Sequence, residues 1–231
     1  MTGRMIEFDS AGTPAPGYLA LPDGGTGPGV VVLHAWWGLT EPFRDTCDRL
    51  AAAGFAALAP DLYRGESTAV IAEAEQLVGA MDGQIERVRA DVAGAVAHLR
   101  AHHAGGVAGG GKTGLIGFSM GGAYALDSSV LLADEVAAVV TFYAAWTGPD
   151  FARAKAAYLC HFAEHDDYEP AEEVANLEGK LQAAGRPVTV YTYPGTKHWF
   201  FETNRPDAYD AAAAALAWER TAAFLRETLT A

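Results

Sequence analysis

Positive charge is scarce in this sequence. Its 231 residues include 16 lysines and arginines against 29 aspartates and glutamates, which gives a formal net charge of −13. Nucleic acids bind clustered lysine and arginine through their phosphates, and the chain has no basic stripe, so nucleic acid is not an expected partner. The same acidity disfavours anionic small molecules unless local cations attract them.

Long apolar runs and cysteine are scarce as well. No run approaches the roughly 18 apolar residues of a membrane span, and the N-terminal segment lacks the apolar core of a secretory signal. We therefore expect a cytoplasmic protein with no membrane partner. The two cysteines, Cys47 and Cys160, suit a reducing compartment. Each lies in an apolar pattern that predicts a buried packing residue.

Hydrophobic residues make up 50% of the chain, which is enough for one substantial core. No internal repeat or low-complexity linker divides the sequence, so we expect a single domain over residues 1–231. Apolar runs alternate with segments of helical periodicity. This alternation predicts an α/β fold with a mostly parallel sheet covered by helices on both faces.

The pattern also locates the elements. An antiparallel pair of strands is predicted first, joined by a Gly/Pro turn, and parallel strands and helices follow. Ligands of parallel sheets bind at the carboxyl ends of the strands. The predicted strands cover residues 5–9, 18–21, 29–34, 55–60, 113–118, 136–143, 158–163 and 187–193, and the main helices 40–53, 69–82, 84–102, 170–184 and 211–229.

Residues 106–113, Gly-Val-Ala-Gly-Gly-Gly-Lys-Thr, match the phosphate-loop pattern G-x-x-x-x-G-K-[ST]. In a phosphate loop a strand precedes the pattern and a helix follows it, so that helix-terminal amides cradle the phosphates. Here a predicted helix precedes and a predicted strand follows. The match therefore indicates a connecting loop, and we expect no nucleotide, no other cofactor and no metal.

The most informative segment is Gly117-Phe-Ser119-Met-Gly121, a G-x-S-x-G pattern between a predicted strand and a predicted helix. This is the context in which a sharp turn presents a serine nucleophile above the sheet. The residues two before and two after the serine must be small, and both are glycine. Ser119 is therefore the candidate nucleophile.

A serine nucleophile needs a base and an acid that orients the base. Of the histidines after Ser119, His161 falls inside a predicted strand and His165 just past it. His198 follows the last strand, where it can lean back toward the serine, and is the candidate base. The acid should follow the strand before it, and the residues alone leave four candidates there: Glu164, Asp166, Asp167 and Glu169.

The oxyanion of such a reaction needs two backbone N–H donors. One should come from Met120, directly after the nucleophile, and the other from the loop after strand 29–34. We assign the second donor to Trp36. Its indole or that of Trp37 would form a wall of the substrate pocket.

These segments resemble the dienelactone hydrolase family of α/β-hydrolases along nearly the whole chain, as a member with a serine nucleophile. The resemblance implies an α/β-hydrolase fold, with Ser119 as nucleophile and His198 as base. It makes Asp166 the acid, with Asp167 as the next candidate. The segments that carry it are Val31-Val-Leu-His-Ala-Trp-Trp-Gly-Leu, Gly54-Phe-Ala-Ala-Leu-Ala-Pro-Asp-Leu-Tyr, Gly117-Phe-Ser-Met-Gly-Gly, Glu164-His-Asp-Asp-Tyr-Glu-Pro and Tyr193-Pro-Gly-Thr-Lys-His.

The chain departs from the pattern of the name-giving enzymes at three places. Those enzymes have a cysteine nucleophile, a glutamate near the oxyanion loop and an arginine four residues after the histidine that binds a substrate carboxylate. Here these positions hold Ser119, Ala35 and Glu202. Because a carboxylate would be repelled beside Glu202, we expect a neutral substrate.

Too few residues separate the strands ending at 143 and starting at 158 for a large cap domain, so we expect an open site. Aromatic residues at its rim would favour a small ester or lactone with an apolar part, although each could simply pack in the core. The predicted substrate-binding residues are Trp37, Tyr143, Trp146 and Trp199.

The predicted function is a metal-independent serine hydrolase that cleaves small esters or lactones through an acyl-enzyme on Ser119. An acyltransferase would use the same residues, with an alcohol or amine in place of water. The third hypothesis is a non-catalytic binding protein with this fold. The complete set of Ser119, Asp166 and His198 argues against it. We expect a monomer or a small homo-oligomer.

Overall fold

A computed structural model of the protein describes residues 3–81, 83–103 and 111–230. These residues form eight β-strands and six α-helices. The chain divides into two compact units, residues 1–115 and 116–231. The prediction of one domain over the whole chain concerns both units together and stays a prediction.

The first unit begins with an antiparallel pair of strands and continues with parallel ones. Its strands lie in the order β1-β2-β4-β3, with β2 antiparallel to both neighbours and β3 parallel to β4. Its elements are β1 (Arg4–Ser10), β2 (Thr13–Ala20), β3 (Gly29–Leu33), α1 (Glu41–Ala52), β4 (Ala56–Pro60), α2 (Ile71–Ala80) and α3 (Ile85–His102).

Strands β3 and β4 are buried along their whole length. Because alternate side chains of a strand point to opposite faces, such burial requires cover on both faces. Helices α1 and α3 pack against both strands. The continuous apolar runs that predicted β3 and β4 therefore correspond to strands that are covered on both faces.

The second unit carries the predicted nucleophile, base and acid. Its strands lie in the order β5-β6-β7-β8, with β6 parallel to β7 and β7 parallel to β8. Its elements are β5 (Thr113–Phe118, which begins just before residue 116), α4 (Met120–Leu131), β6 (Val136–Phe142), β7 (Ala157–His165), α5 (Ala171–Ala183), β8 (Val188–Lys197) and α6 (Ala211–Leu229).

Two strands of the second unit are longer than predicted. β7 ends at His165 rather than at residue 163, and β8 ends at Lys197 rather than at residue 193. The pairing shifts register between Ala163 and His165 and then resumes, with His165 opposite Lys197. The prediction that His165 lies past its strand was therefore wrong, because the partner strand continues through the Pro-Gly turn signal at 194–195.

The connection between β6 and β7 is short, as predicted. Residues 143–156, all of them described, contain a single 3₁₀ turn at Phe151–Arg153. No helical cap is inserted there. The segment therefore leaves the carboxyl end of β6 uncovered by any large insertion.

The described ranges can be compared with the known features of membrane spans, metal sites and phosphate loops. No helix there is long and apolar enough to cross a membrane, and no group of three metal-ligating side chains converges there. Most of the phosphate-loop match at 106–113 lies outside the described residues. Within them, Thr113 is the first residue of strand β5 rather than of a helix.

Candidate active site

Ser119 sits in a strained backbone conformation between β5 and α4. Its φ of 50° and ψ of −116° place it in a region that L-residues rarely adopt. Its N–H donates to the carbonyl of Phe142 at 2.9 Å, and its own carbonyl accepts from Gly122 N–H at 2.8 Å. These bonds hold a conformation whose cost is on the order of 1–3 kcal/mol.

The turn leaves no room for a side chain at Gly117. A Cβ there would approach the carbonyl oxygen of Gly121 to 2.2 Å and the Cα of Gly122 to 2.6 Å. Both distances are far shorter than real Cβ contacts and involve backbone that cannot move aside. The steric requirement that the pattern implied is thus present in the structure.

His198 directly follows β8 and connects the serine to a carboxylate. Its Nε2 lies 3.1 Å from Ser119 Oγ, and its Nδ1 lies 2.8 Å from both Oδ1 and Oδ2 of Asp166. The side chains of His198 and Asp166 are only 4% and 2% exposed. The Nδ1 hydrogen is donated to the carboxylate, which leaves the lone pair of Nε2 facing the serine.

Asp166 is held by its own turn. Its Oδ1 accepts backbone N–H bonds from Tyr168 and Glu169, both at 2.9 Å. These two bonds fix the orientation of the carboxylate toward His198. Asp166 rather than its neighbour Asp167, which is exposed, contacts His198.

The other candidates for base and acid have different partners. His161 is buried between Tyr193 Oη at 2.8 Å and Thr221 Oγ1 at 3.0 Å, and burial lowers its pKa to about 3. His165 is exposed and lies 3.5 Å from Glu164, whose carboxylate accepts from Gly195 N–H. The carboxylate of Glu169, the remaining acid candidate, accepts a hydrogen bond from Ala145 N–H. None of these side chains takes part in the contacts that join Ser119, His198 and Asp166.

Three aromatic rings surround the imidazole of His198. The ring centroids of Tyr143, Tyr168 and Trp199 lie 4.7, 4.8 and 5.1 Å from it. Tyr143 and Trp199 have positive φ values of 42° and 69°. With Ser119, three strained residues therefore follow the carboxyl ends of strands, which is where function is expected in such sheets.

Glu202 is fully buried. Its Oε1 accepts a hydrogen bond of 2.8 Å from Tyr143 Oη, which is also fully buried. Burial, followed by the proximity of Glu202, raises the pKa of Tyr143 well above its usual value. At the position where the family resemblance implies a substrate-binding arginine, this chain thus has a carboxyl group turned into the protein.

The residues that were predicted to form the rim differ in how much of their surface is exposed. Trp37 and Tyr143 have no exposed surface and Trp199 only 7%, whereas Trp146 is 42% exposed. The prediction of an open aromatic rim was therefore wrong for Trp37, Tyr143 and Trp199, which are buried, and their role in substrate binding stays a prediction. Tyr168, 47% exposed and beside His198, is an aromatic neighbour that the sequence did not single out.

The loop after β3 is fixed by a histidine that the sequence reasoning missed. His34 is fully buried; its Nδ1–H donates to the carbonyl of Ala35 at 2.7 Å, and its Nε2 accepts from Leu62 N–H at 3.2 Å. Burial lowers its pKa, so the ring stays neutral. Because the carbonyl and N–H of a trans peptide point in opposite directions, the N–H of Trp36 is directed away from His34.

Met120 and Trp36, the two predicted oxyanion donors, belong to different units of the chain, and their role stays a prediction. Met120 is the first residue of α4 and directly follows Ser119. Trp36 lies in the loop between β3 and α1, half-buried, with its ring edge-on to that of Trp37 at 5.2 Å. The role of His34 could not be predicted from the sequence, because its hydrogen bond to Ala35 depends on the side-chain rotamer rather than on the residue pattern.

Comparison with known proteins finds relatives along nearly the whole chain. A model of the dienelactone hydrolase family matches residues 15–229. Protein usf of Aquifex pyrophilus is 34% identical over 234 residues, which cover 99% of this chain and 100% of that protein. A putative carboxymethylenebutenolidase of Aquifex aeolicus is 30% identical over 236 residues, covering 98% and 99% of the two chains.

A solved structure shows the same fold. A dienelactone hydrolase-like promiscuous phosphotriesterase from metagenomic libraries superimposes with a TM-score of 0.85 at 24% identity, covering 98% of each chain. This agreement confirms the predicted α/β-hydrolase fold class with its mostly parallel sheet.

Proposed function

The chain belongs to the dienelactone hydrolase family, and we propose that it cleaves small esters or lactones through an acyl-enzyme on Ser119. The observation that best supports this reaction is the chain of contacts from Ser119 Oγ through His198 to Asp166, at 3.1 and 2.8 Å. A nucleophile, a base within hydrogen-bond reach and a carboxylate that orients the base are what serine catalysis requires.

His198 acts first as a base. Ser119 Oγ attacks the substrate carbonyl carbon while its proton passes to Nε2 of His198. The resulting imidazolium is stabilised by the carboxylate of Asp166. The same proton then passes to the leaving alkoxide, so that a neutral alcohol departs and the acyl group stays on Ser119.

We assign stabilisation of the charge on the carbonyl oxygen to the backbone N–H of Met120, and Trp36 as the second donor stays a prediction. Met120 supplies the positive end of the α4 dipole. The bond between His34 and the Ala35 carbonyl fixes the orientation of the peptide that carries the Trp36 N–H. Donors fixed before the reaction need no reorganisation when the charge develops.

Water completes the cycle. His198 takes a proton from water, the hydroxide attacks the acyl carbon, and Ser119 Oγ recovers the proton as the acid is released. A lactone gives a single hydroxy acid in this way. An alcohol in place of water would transfer the acyl group instead.

We propose a neutral substrate with a small apolar or aromatic part. Trp146 and Tyr168 are exposed aromatic side chains of the second unit, and Tyr168 lies beside His198. Trp199 packs against the same imidazole. Position 202 holds a buried glutamate instead of an arginine, so a substrate carboxylate would find no cationic side chain at that position.

The test is labelling of the protein with a fluorophosphonate, together with hydrolysis of a panel of neutral and anionic esters and lactones. We expect stoichiometric labelling of Ser119, and a loss on the order of 10⁴ to 10⁶ in kcat for Ser119→Ala. Substantial hydrolysis by Ser119→Ala would rule out the acyl-enzyme. Adding an alcohol and measuring transferred ester against free acid separates hydrolysis from acyl transfer.

The acid is tested by a matched pair of variants. Asp166→Asn should lower kcat by about 10⁴, because the amide favours the wrong imidazole tautomer. Asp167→Asn, on the exposed neighbour, should stay within about twofold of the parent protein. The reverse ranking would transfer the role to Asp167.

A further inference from the structure

Glu169 contacts two segments that meet at the candidate active site. Its backbone N–H donates to Asp166 Oδ1 at 2.9 Å. Its carboxylate Oε2 accepts a hydrogen bond of 3.0 Å from Ala145 N–H, in the connection after β6. One residue thus joins the turn that carries Asp166 to the segment that follows β6.

Each of these two segments supplies a ring that packs against His198. Tyr143 lies two residues before Ala145, and its ring centroid is 4.7 Å from that of the imidazole. Tyr168 directly precedes Glu169, and its ring centroid is 4.8 Å away. The distance between the two segments therefore sets the space in which the imidazole lies.

A carboxyl group is an unfavourable choice for this place. The charged groups that face Glu169 are both negative, Asp166 in the same turn and Glu173 in the first turn of α5. Burial is the largest cause that raises the pKa of Glu169 to about 7; the Ala145 N–H lowers it, and the two carboxylates raise it. An ionisable group whose charged form is disfavoured by burial and by like charges, and which lies beside the proposed catalytic side chains, is typical of a functional role.

We propose that Glu169 is a positioning residue for His198: its ionised carboxylate ties the segment after β6 to the turn of Asp166 and so holds the imidazole between Tyr143 and Tyr168. The inference rests on the proposed serine hydrolase reaction. A hydrogen bond to a carboxylate is stronger than one to a carboxylic acid. The bond from Ala145 N–H to Glu169 therefore strengthens when Glu169 loses its proton. The added negative charge also favours the imidazolium that forms on His198.

The proposal predicts that activity rises with pH through an ionisation at position 169. For a neutral ester, kcat of Glu169→Gln should match the parent protein near pH 5.5, where Glu169 is protonated. Near pH 8 it should be lower by about 3- to 10-fold, with KM changed less than about twofold. Glu169→Ala, which also loses the acceptor for Ala145 N–H, should lose more at both pH values.

Glu173→Gln is the matched control. It removes a negative charge that faces Glu169 but leaves the bond to Ala145 intact. Because Glu173 raises the pKa of Glu169, this variant should keep the rise in activity and shift it to lower pH. It tests the same ionisation with position 169 unchanged, so the proposal stays testable even if Glu169→Gln folds poorly.

Two outcomes would overturn the inference. One is a Glu169→Gln profile that coincides with that of the parent protein from pH 5.5 to 8.5. The other is a Glu173→Gln profile with no shift. If the parent protein neither hydrolyses esters nor takes the fluorophosphonate label, it is the proposed function that fails, and the two failures are thereby distinguished.

Discussion

At the scale of single residues, the proposed nucleophile Ser119 lies in a strained backbone conformation. Its positive φ is held by the hydrogen bonds of its N–H to Phe142 and of its carbonyl to Gly122, not by any preference of serine. Glycine adopts such a conformation without the clash of a Cβ. The residue that the proposed reaction needs is therefore not the residue that the backbone would favour.

We expect Ser119→Gly to be more stable than Ser119→Ala by about 1 kcal/mol, because both lose the hydroxyl but only alanine keeps the strain. Urea denaturation of the two variants measures the difference. Ala123, in the following helix, is the control: there Ala123→Gly should cost about 1 kcal/mol. Equal stabilities at position 119 would show that the turn is not strained.

The residues of the candidate site differ in how far local sequence predicts them. Ser119 and His198 follow from a tight turn and from chain order, both of which are local. Asp166 could be chosen among four acids only through the family resemblance, because the choice depends on which carboxylate reaches the imidazole. Glu169 and Tyr168 gain their meaning from contacts with other segments, which no local pattern encodes.

At the scale of elements, helix α3 is anchored by a buried charge. Asp91 is fully buried; its Oδ1 accepts from Ser10 Oγ and from the guanidinium of Arg64, both at 2.7 Å, and Arg87 lies 3.8 Å from Oδ2. These contacts tie the end of β1 and the segment after β4 to the helix. Loss of the charge would leave two arginines without their buried partner.

We expect Asp91→Asn to lower the free energy of unfolding by about 2 kcal/mol, less than for a fully buried pair because both arginines retain contact with water. Glu86→Gln removes a charge from the same helix, in an exposed pair with Arg89. It should change stability by less than about 0.5 kcal/mol. Similar effects of both changes would refute the anchoring role of Asp91.

The existence of the elements was predictable, but some of their ends were not. Buried strands such as β3 and β4 appear as continuous apolar runs, and helix α3 as a periodic stripe. Strand β8 passes through Pro194 and Gly195, which locally signal a turn, because pairing with β7 resumes beyond a bulge. Where long-range pairing outweighs local preference, a single sequence gives the wrong boundary.

At the scale of the whole molecule, the net charge of −13 should act on substrates before they reach the site. Repulsion between like charges lowers the rate of encounter, and salt screens it. This property follows from composition alone and does not depend on the fold.

We expect kcat/KM for an anionic ester to rise about 3- to 10-fold when ionic strength increases from about 0.02 to 0.5 M. For a neutral ester of matched size, kcat/KM should stay within about twofold. Initial rates at low substrate concentration measure both. A salt response shared by the two esters would point to a general effect on the protein instead.

The two native thiols have a practical consequence. Cys47 and Cys160 are both fully buried, and burial raises the pKa of Cys160 to about 12 and that of Cys47 further. A thiolate is the species that reacts with maleimides, so neither cysteine should be modified in the folded protein. Asp167→Cys would then place one dye beside the turn of Asp166, and its fluorescence would follow that turn during catalysis with both native cysteines left in place.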